Sequence, residues 1–118
     1  MTTHEIYWLA GLLEGEGCFS TGGRRGHILV TLHMTDRDTM ERAAMLLQAT
    51  VGYRPRNKPP RKPSWYCTIK GYRAAAWMMT LYALLGARRQ ARIRELLVSW
   101  KKRPLPRYVP SARENRAA

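Results

Sequence analysis

Two carboxylates one residue apart, Glu14 and Glu16, fall where a run of apolar residues, Ile6, Leu9, Leu12 and Leu13, gives way to Gly15 and Gly17. A helix ending there carries both acids in its last turn, where the macrodipole is negative and each acid is disfavoured by roughly 0.3–1 kcal/mol. A cation is missing from that arrangement. Gly11 and Gly15 stand four apart on one helical face beside Ala10, and small residues at that spacing let a second helix approach backbone to backbone. Each glycine costs about 1 kcal/mol relative to Ala in a helix interior, so two of them beside two acids need a reason. Further along, Asp36 and Asp38 follow an alternating apolar segment, and the stretch Arg54 to Lys62 packs five cations and no acid into nine residues. A few carboxylates in so basic a chain fit either a nuclease that holds a metal or a basic domain with well-capped helices.

The charge balance narrows the partners. Lys and Arg number 21 against 8 Asp and Glu, a formal net charge of +13, so polyanions are expected to bind. Acid is reserved for particular places, since beyond Glu5, Glu14, Glu16, Asp36, Asp38 and Glu41 only Glu95 and Glu114 remain. The 118 residues leave room for one domain, and 45% apolar composition is enough to fill its core. No apolar run approaches the roughly 18–20 residues of a membrane span and no signal-peptide pattern opens the chain, so a soluble, intracellular protein with no membrane partner is expected. Cys18 and Cys67 are too few for a disulfide scaffold, and with His4, His27 and His33 they lack the paired spacing of a structural zinc site. Both cysteines read as small buried residues.

The elements that must position the acids follow from periodicity. Residues 2–16 read as a helix opened by a capping box of Thr2 and Glu5. Residues 18–21 and 27–34 read as a hairpin across Gly22-Gly23-Arg24-Arg25-Gly26; in its second strand Ile28, Val30, Leu32 and Met34 alternate with a mixed set, which suits a half-covered sheet. Asp38 with Glu41 gives a second capping signature, and Met40, Ala44 and Leu47 put an apolar stripe on a helix running to about residue 49. Residues 51–56 and 64–70 form a second strand pair, Ala74–Leu85 a buried helix with Trp77, Met78 and Met79 in the core, and Ile93, Leu96, Leu97 and Trp100 an amphipathic last helix after Gly86. The expectation is an α+β domain over residues 1–103, ordered α-β-β-α-β-β-α-α, with helices on one face of a four-stranded antiparallel sheet, followed by a basic tail over 104–118.

The segment Leu9-Ala10-Gly11-Leu12-Leu13-Glu14-Gly15-Glu16-Gly17, preceded by Tyr7-Trp8 and followed by Cys18-Phe19, resembles the signature helix of the LAGLIDADG homing endonucleases. The junction His33-Met34-Thr35-Asp36-Arg37-Asp38, the strand start Val51-Gly52-Tyr53 and Arg89-Gln90-Ala91 fall where single-motif members have counterparts, so the resemblance covers roughly residues 6–100. It implies a homodimeric, site-specific endonuclease that cuts double-stranded DNA at a pseudo-palindromic site and is carried by an intron or other mobile element. Ala10, Gly11, Glu14 and Gly15 would then line the dimer interface, because one motif supplies half of the catalytic helix pair. Glu16 would be the metal ligand, with the Gly15 carbonyl adding a contact. Carboxylates converging from two helices call for a divalent cation, Mg2+ or Mn2+, which phosphodiester hydrolysis also needs. Asp36 matches a water-orienting residue at the rim of the site, or is structural; Asp38 reads as the helix cap. Where the family carries a basic residue before its last helix this chain has Ala87, with Arg88 the nearest catalytic substitute and Arg89 next to it. That departure keeps open a non-catalytic DNA-binding regulator or an RNA-binding splicing helper on the same fold.

The mixed face of the sheet is where nucleic acid would lie, since a strand ribbon fits the major groove and presents alternate side chains to base edges. Ser20, Arg24, Arg25, Thr31, His33, Arg54 and Arg56 are the candidates there, with Lys58, Arg61 and Lys62 as phosphate contacts. Trp65 and Tyr66 alternate along their strand, so one of the two faces the same side.

Overall fold

The computed structural model describes residues 1–23, 26–55 and 62–102. Its elements run in the expected order: α1 (Thr3–Glu16), β1 (Gly17–Gly22), β2 (His27–Met34), α2 (Arg37–Leu47), β3 (Gly52–Arg54), β4 (Ser64–Lys70), α3 (Gly71–Leu81), a single 3-10 turn (Tyr82–Leu84) and α4 (Ala87–Lys101). Arg24, Arg25, Arg56, Lys58, Arg61 and the tail over 104–118 lie outside the described residues.

The capping box forms as read: Glu5 N donates to Thr2 Oγ1 at 3.1 Å and Thr2 N to Glu5 Oε1 at 2.8 Å, which satisfies two donors at the start of α1. The second cap is corrected. Asp36, not Asp38, caps α2, its carboxylate accepting from Thr39 N at 3.2 Å, while Asp38 sits in the first turn, where the positive end of the helix favours it. Two helical boundaries also shift. Gly71 has φ +64°, so the chain turns directly from β4 into α3 without a linker, and α3 stops at Leu81 rather than Leu85.

The four strands form one antiparallel sheet in the order β1-β2-β4-β3. Register and burial divide its faces. Phe19, Ile28, Val30, Leu32, Cys67 and Ile69 point into the core, where Leu9 and Leu13 of α1, Met40, Ala44 and Leu47 of α2, Met78 and Leu81 of α3, and Ile93 and Leu96 of α4 cover them. All the helices therefore pack on one side, as the alternation in β2 predicts. Met79, expected in that core with Met78, is 58% exposed, because it lies one residue round the helix from the covered face. Cys67 is buried as expected, and Cys18 is corrected: it pairs across from Thr31 on the uncovered face and is exposed.

Guanidinium groups fasten the helices. Arg73 donates to the carbonyls of Leu47 and Gln48, both at 2.6 Å, closing the C-terminus of α2, and Arg42 lies 4.2 Å from the Trp8 ring centre, linking α2 to α1. Arg92 Nε donates to Phe19 O at 3.2 Å and ties α4 to β1. Among the described residues no helix is long and apolar enough to cross a membrane.

Candidate functional site

The uncovered face of the sheet collects Cys18, Ser20 and Gly22 from β1, His27, Leu29, Thr31 and His33 from β2, Ser64, Tyr66, Thr68 and Lys70 from β4, and Gly52 and Arg54 from β3. Ser20, Thr31, His33 and Arg54, read as recognition residues, thus share one surface. Tyr66 is the aromatic that joins them. Its ring stacks with His33 at 5.7 Å between centroids, and the Arg54 guanidinium lies 5.6 Å from the Tyr66 ring centre. Gly52 makes room for that ring: a Cβ there would meet the Tyr66 ring at 2.3 Å. Trp65 points the other way and packs against Tyr53 on the helical side.

At one end of this face the sheet meets the end of α1. A cleft of about 570 Å3 is lined there by Glu16, His33, Met34, Thr35, Arg54, Lys62 and Ser64. Four candidates from distant parts of the sequence are brought together in it: the acid from the end of α1, the histidine from the end of β2, and two cations from the β3–β4 side. Thr35 and Ser64 were not singled out by the sequence, since an isolated hydroxyl residue at a strand end carries no pattern. Glu16 is exposed, and its carboxylate takes part in no hydrogen bond or ion pair among the described residues. Asp36 is not part of the cleft lining; its carboxylate is occupied as the cap of α2. Arg88 is exposed on the first turn of α4 and does not line the cleft either.

The residues of α1 divide between two directions. Gly11 and Gly15 are exposed, and a Cβ added at either would meet nothing within 4 Å, so this stripe of the helix is open in the single chain. Tyr7, 59% exposed, extends the stripe by one turn. Ala10 is corrected: at 2% exposure it belongs to the core, because one residue along a helix is a rotation of about 100°. Glu14, expected on the open stripe, turns toward its own chain. Its Oε2 accepts from Gly86 N at 3.1 Å, at the start of α4, where the macrodipole favours a carboxylate.

One cation does reach the end of α1, Arg89, but it binds main-chain carbonyls and neither acid. It donates from Nη1 to Gly17 O at 2.6 Å and from Nη2 to Glu14 O at 3.1 Å. Its Nε is buried with no hydrogen-bond partner among the described residues, a cost of about 1–3 kcal/mol that the rest of its contacts must offset. With both terminal nitrogens given to main-chain carbonyls, Arg89 does not stand in for a basic group in the cleft.

A helix with two small residues open on one face ends in an exposed carboxylate at the rim of a half-covered antiparallel sheet, and that combination defines the class of α+β fold. The LAGLIDADG-like domain family model matches residues 3–116, and the chain belongs to that family. Solved structures share the fold. The group I intron-encoded homing endonuclease I-CeuI complexed with DNA matches with a TM-score of 0.62 at 14% identity, over 85% of this chain and 55% of that one. The homing endonuclease I-CvuI in complex with its target in the presence of 2 mM Ca gives 0.66 at 20% identity, over 86% and 70%. The archaeal intron-encoded homing endonuclease I-Vdi141I complexed with DNA gives 0.57 at 10% identity, over 89% and 87%. The chain thus spans about half the length of the first of these structures. No curated protein matches it in a sequence comparison.

Proposed function

We propose that the protein is a homodimeric, metal-dependent, site-specific DNA endonuclease in which each subunit contributes one Glu16 to a paired active site. The observation that carries this reading is the cleft that sets Glu16 against His33, Arg54 and Lys62 at the end of an open basic sheet face. Duplex DNA lying along that face would meet Ser20, Thr31, His33 and Arg54 at base edges in the major groove, while Lys62 contacts phosphate. Two such faces, related by a two-fold axis through the Gly11–Gly15 stripe, read a pseudo-palindromic site. Close pairing of α1 with its mate brings the two Glu16 carboxylates side by side beneath the DNA.

The donor set fits a hard divalent ion. Glu16 offers an uncommitted carboxylate and Gly15 a carbonyl, both oxygen ligands suited to Mg2+ or Mn2+. Among the described residues no three His, Cys, Asp or Glu side chains converge, so one chain alone does not make a closed cage. Mg2+ is commonly held by one or two carboxylates plus substrate phosphate, which matches a site completed by the second subunit and the DNA. When bound, the ion supplies a Lewis acid and an acidified water for phosphodiester hydrolysis. Glu16 holds it, His33 and Arg54 orient the strand, and Lys62 screens the phosphate charge.

The test compares wild type with Glu16→Gln on a plasmid bearing the native insertion site, with Mg2+ or with EDTA. Wild type is expected to cut only with the metal, and Glu16→Gln to lose cleavage while binding the same DNA as tightly or more so. The amide keeps the side chain's shape but removes the charge that the metal needs, and it relieves repulsion with phosphate. Equal cutting by both proteins refutes the assignment of Glu16. A second reading, a non-catalytic DNA-binding regulator or RNA-binding splicing helper, is favoured by one observation: α4 opens with Ala87, and Arg89 beside it is bound to α1. Tight, specific binding without cleavage under any divalent metal supports that reading, and Ala87→Lys then tests whether a basic residue restores cutting.

A further inference from the structure

The last turn of α1 and the first turn of α4 hold each other by a reciprocal clasp. The Glu14 side chain accepts from the Gly86 main-chain N–H at 3.1 Å, and the Arg89 side chain donates in return to the Glu14 main-chain carbonyl at 3.1 Å and to Gly17 O at 2.6 Å. The two carbonyls taken by Arg89 lie on either side of Gly15 and Glu16. Gly17 is buried and both bonds lie partly out of solvent, so these carbonyls take their partner from the protein and not from water. The guanidinium is inserted between α4 and β1, 5.8 Å from the centre of the buried Phe19 ring, with one nitrogen left unpaired among the described residues. The fork of Arg, unlike the single point of a Lys ammonium, fixes two acceptors relative to each other.

The consequence falls on the two residues in between. Leu13 O accepts from Gly17 N and Glu14 O accepts from Arg89, so the helix end is closed up to the carbonyl of Gly15. We propose that Arg89 is a positioning residue for the divalent-metal site: by clamping Glu14 and Gly17 it fixes the direction in which the Gly15 carbonyl and the Glu16 carboxylate are presented. This rests on the metal-dependent nuclease reading. It assigns Arg89 to orienting metal ligands through the main chain, as outer partners orient ligands elsewhere, and not to the reacting phosphate.

Three proteins test it: wild type, Arg89→Lys, which keeps the charge and loses the fork, and Arg89→Met, which loses both. DNA binding is measured in EDTA by fluorescence anisotropy, and Mn2+ uptake by the protein–DNA complex from the electron paramagnetic resonance signal of free Mn2+. Binding in EDTA is expected to stay within about twofold, since the open sheet face is untouched, while the Mn2+ dissociation constant rises about tenfold in Arg89→Met and severalfold in Arg89→Lys. Mn2+ affinity in both variants equal to wild type overturns the proposal and leaves the nuclease reading standing. Tighter Mn2+ binding in Arg89→Met overturns it as well, because removal of a nearby positive charge is then the whole effect. Loss of folding in both variants, read by circular dichroism, would assign Arg89 to the fold alone. A wild type that takes up no Mn2+ on DNA sinks both readings together.

Discussion

Replacing Gly11 with leucine separates what this position does within one chain from what it does between two. Inside the chain the substitution is free of clash, since nothing lies within 4 Å of an added Cβ. Leucine is also the better helix former, by roughly 0.7 kcal/mol, and the isolated chain gains that amount. For a domain of this size such a gain raises Tm by roughly 3–6 °C. Between two chains the sign reverses. If α1 crosses its mate at Gly11, the new side chain enters an interface with no spare volume, and overpacking costs about 1–3 kcal/mol per chain. Two-fold symmetry counts it twice, so the dimer dissociation constant rises between roughly thirtyfold and twenty-thousandfold. Sedimentation velocity over a concentration series reads the dimer, and thermal melts at concentrations where both proteins are monomeric read the chain. Gly11→Leu is expected to melt higher and associate more weakly. Unchanged association would remove the helix pair from the Gly11 stripe, and a lower monomer Tm would contradict the open space at that position.

Three further outcomes can be measured on the same protein. Changing Lys62 to Ala is expected to flatten the slope of log K against log salt by about 0.9 for each phosphate that is no longer neutralised, measured by anisotropy at salt concentrations of roughly 50–200 mM; an unchanged slope would put the phosphate-binding cations elsewhere. One thiol of the native protein should react with Ellman's reagent and the second only in denaturant, because Cys18 is exposed while burial pushes the Cys67 thiol up and closes it off; fast reaction of both would contradict the register of β1 and β4. The hydrogen bonds from Thr2 hold the Glu5 carboxyl below its ordinary value of 4.5, so its contribution to stability is full above that value and is lost as pH falls through the depressed folded value. Glu5→Gln should therefore be less stable than wild type near neutral pH and approach it in melts under acid conditions below that folded value; a constant gap would refute the capping box as the source.

Legibility followed the range of the interactions. The capping box of Thr2 and Glu5 spans three residues, and the alternation of Ile28, Val30, Leu32 and Met34 fixes which side of β2 is covered, so both could be read directly. With β2 oriented, the open face carrying Thr31 and His33 followed. The local signature pointed to Asp38, which has Glu41 three residues on, whereas Asp36 has Thr39 there; the cap falls on Asp36 because it depends on where the chain leaves β2. Cys18 is a single position in a short strand of small residues, GCFSTG, where only Phe19 marks the inward side. Ala10 and Gly11 are chemically alike in sequence, yet one rotation step separates core from solvent. Arg89 lies 75 residues from Glu14, and no periodicity foretells a hydrogen bond across that separation.

The hydrogen bond between Arg89 and Glu14 changes what the absence of a basic residue at Ala87 means. A missing cation at the start of α4 reads from sequence as a loss at the cleft, with Arg88 as its nearest replacement. In the structure α4 still delivers a guanidinium to the end of α1, but Arg89 delivers it to the main chain, where it answers the negative helix terminus, and not to the open cleft. The positive charge across from Glu16 comes from another element altogether, Arg54 on β3 and Lys62 just ahead of β4. Both stand beside the face along which DNA is proposed to run, so the same side chains that meet DNA there, Arg54 at base edges and Lys62 at phosphate, also bring positive charge to the cleft. On the proposals made above, orientation of the acid and supply of positive charge, which a single basic residue before the last helix could combine, are divided between α4 and the β3–β4 side. Binding and ligand positioning are thereby separable by substitution, and the two roles need not fail together.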